Sequence, residues 1–425
     1  MILGVFLGTL FAGLAIGLPV AFALIFCAIV LMTWMGIFNP QIISQQMVSG
    51  ANTFTLLAIP FFLLAGELMN AGGLSKRIVA FAVSCVGHLR GGLGYVAVIA
   101  AVVMASLSGS AAADSAALAA ILIPMMKSAG YHVPRSAGLM AAGGVIAPVI
   151  PPSIAFIIFG VAANVSITAL FLGGIVPGLL MALALVGAWA IVSRRDNVAP
   201  LPRQSGRERW QAALRAAWAL VMPVIILGGI RFGVFTPTEA AVVAAVYALF
   251  VGLFVYRELR LRDLYAVFLN AAKMTAVVLF LVSAALVTSW LITRANIPAE
   301  LTRFLSPVIE SPRLLMLVIV LLLLLVGMVL DLAPTILILS PVLMPVIGAA
   351  GIDPVYFGII FVMTCCIGLL TPPVGVVLNV VSGVARVPLG QVVVGVSPFL
   401  VAQVCVLLLL ILFPEIVTVP LAALR

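Results

Sequence analysis

Apolar residues fill long runs along nearly the whole chain, and polar residues occur only in short breaks between those runs. The runs recur at lengths of roughly 17 to 25 residues, which is what a helix needs to cross a bilayer. Short segments that alternate polar and apolar positions, as the strands of a membrane barrel do, are absent from the sequence. The pattern therefore predicts an all-α polytopic membrane protein.

One part of this pattern occurs twice. The block from Leu107 to Pro177 returns at Met328 to Pro398, shifted by a constant 221 residues without a gap. Membrane helices tolerate proline poorly because it lacks an amide donor, so prolines matched at this spacing indicate a duplication that kept its helix breaks. The matched prolines are Pro124 with Pro345, Pro151-Pro152 with Pro372-Pro373, and Pro177 with Pro398.

Composition excludes the soluble classes of protein. Of the 425 residues, 65% are hydrophobic and 8% are charged, and no soluble fold buries that much apolar surface. The five cysteines lie in apolar stretches without metal-ligand spacing, so we interpret them as packing residues. The net charge of +9 does not imply a nucleic-acid partner, because its main cluster follows from membrane topology.

That cluster lies in the one clearly polar stretch, residues 193–215, which the positive-inside rule places in the cytoplasm. Its central position predicts a linker between a first repeat, residues 1–192, and a second repeat, residues 216–425. Two spans, at about 216–230 and 238–256, then return the chain to a second basic loop. The arginines of the two loops are Arg194, Arg195, Arg203, Arg207, Arg209, Arg215, Arg257, Arg260 and Arg262.

The charge bias of equivalent loops reverses between the repeats. Residues 74–90 carry basic residues and no acid, whereas residues 300–313 balance two arginines with two glutamates. This reversal predicts inverted repeats, related by an axis in the membrane plane. No charged residue precedes Glu67, so we interpret residues 2–36 as two retained spans and not as a cleaved signal peptide. We predict ten crossings, two re-entrant hairpins and both termini on the outer side.

The two predicted hairpins are apolar segments with a polar tip, and the charges at both ends of each segment belong to one side of the membrane. Each hairpin is followed by a helix that is broken at a proline pair. The hairpins cover residues 91–127 and 313–348, and the broken helices cover residues 136–163 and 355–383.

The hairpin tips and helix breaks carry the candidate chemistry. A proline pair leaves free carbonyls and an exposed helix start, and such groups coordinate Na⁺ and attract anions, respectively. Irregular backbone at membrane depth is tolerated only against protein or a water-filled cavity. The tips and breaks therefore predict two half-sites of one central cavity.

Four strings of residues resemble the large membrane subunit of TRAP transporters, the tripartite ATP-independent periplasmic importers. They are SLSGSAAADSAA, GGVIAPVIPPSI, FTPTEAA and GLLTPPVGVVLN, in that order along the chain. The branch looks most similar to permeases for sugar acids such as 2,3-diketogulonate. The resemblance implies inverted repeats of the ion-transporter superfamily that work as an elevator, with Na⁺ as coupling ion and no other cofactor.

The resemblance also implies the partners and the location. A small membrane subunit of about four helices and a periplasmic solute-binding protein that delivers an organic acid anion are expected. The protein is then a secondary active transporter and not an enzyme, in a bacterial inner membrane, with both termini periplasmic.

Within this family, sodium and substrate sites are expected where a hairpin tip meets the break of the following helix. In the first repeat the candidates are Ser108, Gly109, Ser110, Asp114, Ser115, Pro148, Pro151, Pro152 and Ser153. In the second repeat they are Asp331, Thr335, Gly368, Thr371, Pro372, Pro373, Gly375 and Asn379.

Three charged candidates have two interpretations each. Asp114 and Asp331 either cap the following helix arm by accepting backbone amide bonds or take part directly in sodium binding. They are not symmetry mates, since Asp114 aligns with Thr335. Arg386 either pairs with a substrate carboxylate or is an ordinary cytoplasmic arginine of the positive-inside rule.

Two other functions compete with a TRAP importer. A stand-alone Na⁺/dicarboxylate symporter of the same superfamily would work without a binding protein, but its tips would be expected to carry Ser-Asn-Thr. A channel could also use hairpins as a selectivity filter, although paired helix breaks favour alternating access. An ATP-driven pump is excluded for this chain alone, because it has no GxxxxGK[ST] loop.

Overall fold

The computed structural model describes residues 2–195, 198 and 200–424, and these residues form helices and connecting turns without a strand among them. The helices before the linker are α1 (Ile2–Ala15), α2 (Val20–Trp34), α3 (Pro40–Ala51), α4 (Ala58–Ala71), α5 (Leu74–Val86), α6 (Gly92–Ser108), α7 (Ala111–Ser128), α8 (Val133–Gly144), α9 (Ile154–Ala163) and α10 (Ile167–Val192). The helices after it are α11 (Gly206–Arg231), α12 (Pro237–Phe250), α13 (Leu261–Arg294), α14 (Ile297–Phe304), α15 (Ser306–Ile309), α16 (Pro312–Gly327), α17 (Leu332–Ala349), α18 (Pro354–Gly368), α19 (Val376–Ala385), α20 (Leu389–Leu412) and α21 (Glu415–Leu424).

The duplicated sequence folds as a duplicated structure. Helices α6 to α10 recur as α16 to α20, and α7 ends at Ser128 where α17 ends at Ala349, the same shift that relates the prolines. Packing is reciprocal between the halves, since α7 packs against α19 while α17 packs against α9. The predicted fold class, an all-α membrane protein of inverted repeats with paired hairpins and broken helices, is confirmed.

Local sequence explains where the hairpins turn and where the broken helices resume. The Ser110 hydroxyl accepts the Ala113 amide at 3.4 Å and starts α7, and the Ser153 hydroxyl accepts the Phe156 amide at 3.1 Å and starts α9. Both proline pairs, Pro151-Pro152 and Pro372-Pro373, contain a cis peptide bond. Serine at the first position after a break satisfies an amide that the helix leaves unpaired.

Helices outside the duplicated block pack into a second layer, which we call the scaffold (α1 to α5 and α11 to α15). Helix α4 packs against α12, α5 against α11, and α13 against α2, α3 and α4. Helix α12 begins with a capping box, in which Thr236 and Glu239 bond to each other's backbone amides. Helix α13 also packs against α17, so it connects the scaffold with the second hairpin.

Part of the predicted linker is helical. The helix that contains the span expected from residue 216 begins at Gly206, because Ser205 and Glu208 form a capping box that starts α11 within the basic stretch. Residues 196, 197 and 199 of the predicted linker lie outside the described residues. The charged residues predict the side of the membrane, and they do not indicate whether the backbone there is helical.

Two further expectations about loops and spans change in the structure. Most of residues 74–90, treated as a loop, forms helix α5, and Ile297–Phe304 and Ser306–Ile309 are helical in the corresponding stretch of the second half. Helices α1 and α2 form the expected pair, but they have 14 and 15 residues, fewer than the about 20 needed to cross upright. Eight helices of the described residues are long and apolar enough to span, including the hairpin arms α7 and α17. The predicted location of the termini concerns Met1 and Arg425, which lie outside the described residues.

Candidate functional site

A cavity of about 190 Å³ lies between the two hairpin tips and the two helix breaks. The first half contributes Gly109, Ser110, Pro148 and Ile154, the second half contributes Asp331, Leu369 and Val376, and the scaffold contributes Leu63, Met274 and Val278. The structure therefore brings both sequence-predicted half-sites to one central cavity.

Four helix amino termini meet at this cavity. Its wall includes the first two residues of α7, α9, α17 and α19, namely Ala111, Ala112, Ile154, Ala155, Leu332, Ala333, Val376 and Val377. A helix amino terminus carries a partial positive charge and unpaired amides, so it stabilises a nearby anion. The convergence makes the cavity suited to an anionic ligand, although Asp331 is the only charged side chain among the described residues that line it.

The first half-site holds polar side-chain atoms that are buried without a partner. Asp114 is 2% exposed, and one of its carboxylate oxygens, Oδ1, accepts the Ser108 hydroxyl at 2.5 Å. Its other oxygen, Oδ2, and the Ser115 hydroxyl are buried without a hydrogen-bond partner among the described residues. A buried carboxylate oxygen costs several kcal/mol unless a cation or a donor satisfies it. The capping interpretation of Asp114 is wrong, because Ser110 caps α7 and no backbone amide of the described residues donates to Asp114.

The first helix break begins next to Ser115, one of the two residues with an unpartnered oxygen. Added side-chain atoms at Gly144, the last residue of α8, would overlap the Ser115 hydroxyl. The break that follows is closed by Ser153, whose hydroxyl donates to the Pro148 carbonyl at 2.5 Å. Residues 145–153 are all buried. These groups form a buried set of carboxylate, hydroxyl and carbonyl oxygens. Oxygen atoms of these kinds are the usual ligands of a hard cation such as Na⁺.

The tip of the first hairpin contacts the break through backbone atoms. Gly109 has a φ of 63°, and a Cβ there would lie 2.9 Å from the Pro152 carbonyl oxygen and 3.2 Å from the Ile154 nitrogen. Only glycine meets both the left-handed conformation and the close approach. The tip and the break therefore hold each other in place.

Substitution of Gly109 by alanine is expected to reduce the rate of transport at least tenfold, because the added methyl group must push the tip away from Pro152. Gly130→Ala is the matched control, since Gly130 also has a positive φ, of 86°, but has open space around it. Initial rates of uptake and the melting temperature of both variants separate the two effects. If the two variants lose the same activity, backbone strain alone explains the loss and the contact with Pro152 does not matter.

The second half-site has the same parts in a different arrangement. Asp331 is exposed and caps α17 by accepting the Leu332 amide at 2.8 Å, so the capping interpretation is confirmed here. Thr335, which aligns with Asp114, is buried and donates to the Asp331 carbonyl at 2.8 Å. Gly368 approaches the backbone of Gly327, where a Cβ would lie 2.8 Å from the carbonyl carbon. Tip and break meet in this half as they do in the first.

The second break is more accessible than the first. Thr371 and Pro372 are partly exposed, and Pro373 and Asn379 are exposed. The Thr371 hydroxyl donates to the Ile367 carbonyl at 2.9 Å, and the Asn379 amide donates to the Val374 carbonyl at 2.6 Å. Gly375, with a φ of 50°, starts α19. The two half-sites therefore differ in accessibility, and only the first encloses unpartnered oxygens among the described residues.

Arg386 lies away from these residues. It is exposed and forms the left-handed cap at the end of α19, with a φ of 54°, and Asn164 has the same role and the same φ at the end of α9. The ten-residue helix α19 separates Arg386 from the break by about 15 Å along its axis. Of the described residues, those that line the central cavity do not include Arg386.

The scaffold wall of the cavity had no sequence signal. Leu63, Met274 and Val278 are apolar residues inside apolar helices, so nothing in their type or spacing distinguishes them from lipid-facing neighbours. Only the packing of α4 and α13 against the hairpins places them at the site.

Comparison with known proteins agrees with this architecture. The chain is 53% identical over 417 residues to the 2,3-diketo-L-gulonate TRAP transporter large permease protein YiaN of Escherichia coli, and the match covers 98% of each chain. It is 42% identical to the sialic acid TRAP transporter large permease protein SiaM of Vibrio cholerae, covering 96% of this chain and 95% of that protein. The crystal structure of the YdaH transporter of Alcanivorax borkumensis shares the fold, with a TM-score of 0.64 at 15% identity over 87% of this chain and 86% of that chain.

The family model described as the tripartite ATP-independent periplasmic transporter, DctM component, matches residues 7–416. That range includes both hairpins, both broken helices and nearly all of the scaffold. The chain is therefore an integral multi-pass membrane protein and belongs to the DctM family, the large permease subunits of TRAP transporters.

Proposed function

We propose that this permease imports an organic acid anion together with Na⁺ across a bacterial inner membrane, with both termini on the periplasmic side. The convergence of four helix amino termini on one cavity is the observation that carries the proposal. The names of the relatives, a 2,3-diketo-L-gulonate permease and a sialic acid permease, support a sugar acid as the anion. Its carboxylate would lie against the free amides of these helices.

Sodium would bind where each tip meets its break. In the first half, Asp114 and Ser115 would supply the unpartnered oxygens, Ser108 would orient the carboxylate, and carbonyls of residues 145–153 would complete the set of ligands. In the second half, Asp331, Thr335 and the carbonyls of residues 368–375 are the corresponding groups. When bound, Na⁺ would neutralise the negative charge of the enclosed Asp114 carboxylate. Loaded sites would hold the tips closed on the breaks, so the anion would bind well only with Na⁺.

Movement would follow from the division of the structure into two layers. Helices α6 to α10 and α16 to α20 pack reciprocally and supply most of the residues that line the cavity, while the scaffold contributes three apolar side chains. A smooth apolar contact permits sliding, so the paired repeats would travel as one elevator unit past the scaffold. The family name supports two partners, a small membrane subunit of about four helices and a periplasmic solute-binding protein.

Reconstituted permease, together with its small subunit and binding protein, is expected to take up the anion at least tenfold faster with an inward Na⁺ gradient than with K⁺ in its place. The reason is that, in the proposed mechanism, bound Na⁺ holds the tips closed on the breaks, so the anion binds well only when Na⁺ is present. Radiolabelled uptake into proteoliposomes measures this difference. Equal uptake in K⁺ contradicts sodium coupling, and full uptake without the binding protein identifies a stand-alone symporter instead.

A further inference from the structure

Helix α13 carries one charged residue inside its apolar length. Lys273 is the only charged residue between Asp263 and Arg294. With a rise of about 1.5 Å per residue, it lies about 16 Å along the helix from Arg262 and about 31 Å from Arg294. The distance to Arg294 equals about the whole thickness of the apolar layer, about 30 Å, so the depth of Lys273 follows from its neighbour Met274, which lines the cavity between the hairpin tips. A lysine at this depth is costly and normally faces a partner or a water-filled path.

Lys273 lies at the level of the central cavity. The next residue, Met274, lines the cavity together with Val278 one turn later. Lys273 and Asn270 lie one turn apart on an exposed face of α13, beside the face that carries Met274. The buried residues of this part of the helix are Val267 and Ala271. Lys273 is not itself one of the residues that line the cavity; it is the chain neighbour of Met274 on the scaffold side, about 100° around the helix from it.

No described residue neutralises this charge. Lys273 has neither an ion pair nor a hydrogen bond within the described part of the chain. Two carboxylates lie in this region: Asp331 lines the cavity with Met274, and Glu67 on α4 lies one turn from the cavity residue Leu63. Among the described residues, neither of them forms a salt bridge with Lys273. The charge is therefore available to a ligand that enters beside Met274.

We propose that Lys273 is an anion-recognition residue, which pairs with a carboxylate of the transported molecule from the scaffold side of the cavity. The proposal rests on the proposed function and adds a contact that the moving repeats do not supply. The helix amino termini around the cavity belong to the moving repeats, whereas Lys273 belongs to the scaffold. The moving repeats and the scaffold can hold the anion together only when the cavity stands beside Lys273. Lys273 would therefore select carboxylates at the step in which the anion enters or leaves the cavity.

The test compares Lys273→Gln, Lys273→Arg and Glu67→Gln in the reconstituted three-component transporter. Loss of one charge-assisted contact is expected to raise the KM for the anion about tenfold in Lys273→Gln, while Lys273→Arg stays within about threefold of the natural protein. Half-saturation by Na⁺ and the amount of small subunit that copurifies are expected to stay unchanged in both. Glu67→Gln is expected to leave the KM unchanged.

Three results would overturn this role of Lys273. An unchanged KM in Lys273→Gln shows that the ammonium does not contact the anion. Loss of the small subunit from Lys273→Gln shows that the residue docks a partner in the membrane. The same rise of KM in Glu67→Gln shows that the two residues form an ion pair within the scaffold during transport. A natural protein that takes up the anion without Na⁺ would contradict the proposed sodium coupling. The role of Lys273 could still be tested in that case, because the KM for the anion can be measured with any cation that supports uptake.

Discussion

Replacement of Asp114 by asparagine is expected to lower Na⁺-driven uptake at least tenfold while leaving the protein as stable as before, or more so, in Na⁺-free detergent. Asparagine keeps the shape and can still accept the Ser108 hydroxyl, but it removes the charge that the buried Oδ2 atom carries without a partner. An unpaired buried carboxylate destabilises the sodium-free protein, and in the proposed mechanism the same carboxylate attracts the ion. Uptake in proteoliposomes and melting curves with and without Na⁺ measure both effects.

Asp353→Asn is the matched control for this experiment. Asp353 caps α18 by accepting the Val355 and Tyr356 amides at 2.8 Å, and asparagine caps a helix equally well. Na⁺ is expected to raise the melting temperature of the natural protein and of Asp353→Asn, because a ligand stabilises the state that binds it, and to leave Asp114→Asn unaffected. A melting temperature that still rises with Na⁺ in Asp114→Asn would place the ion elsewhere.

The paired hairpins and broken helices could be predicted because glycine and proline have exceptional backbone preferences, which stand out in a chain of apolar helices. Pro151-Pro152 and Pro372-Pro373 interrupt helices for a local reason, the loss of amide donors, so their effect does not depend on the surrounding fold. The constant shift between the copies then linked each break to its partner. A local cause repeated at a fixed spacing was enough to predict the two half-sites that meet at one cavity.

The choice of helix caps could not be predicted with the same certainty. Ser110 and Asp114 are both good capping residues, and they stand four positions apart in one polar tip. The structure starts α7 at Ser110 and points Asp114 at Ser108 instead, since the carboxylate lies in the first turn and is buried against the rest of the half-site. Which residue caps depends on the packing of distant segments, which no local pattern contains.

The unequal exposure of the two breaks also lies beyond sequence patterns. The first break is buried, while Pro373 and Asn379 of the second are exposed. Equivalent sequences give different environments because the duplicated halves meet the scaffold at different places: α13 packs on α17, whereas α4 and α5 pack on α6. Lys273 stands out in the sequence as a single charge within a long apolar helix. Only the folded structure shows that its neighbour Met274 lines the cavity.

Substitution of Gly395 by alanine is expected to lower stability by about 1–3 kcal/mol and to abolish uptake, because the two repeats touch there through their backbones. An added methyl group at Gly395 in α20 would overlap the Pro134 carbonyl at the start of α8, and a Cβ at the facing Gly138 would lie 2.5 Å from the carbonyl carbon of Gly395. Neither backbone can move without parting the two repeats. In the proposed elevator movement the two repeats travel as one body, so opening this contact would stop transport.

Gly390→Ala is the control on the same helix, since Gly390 has open space around it. It is expected to melt at the same temperature as the natural protein or slightly above, because alanine favours a helix by up to about 1 kcal/mol over glycine. Thermal melting in detergent and uptake in proteoliposomes compare the two variants directly. Equal melting of Gly395→Ala and Gly390→Ala would mean that the repeats are not held together at this contact, and the rigid moving unit would then need another join between α8 and α20.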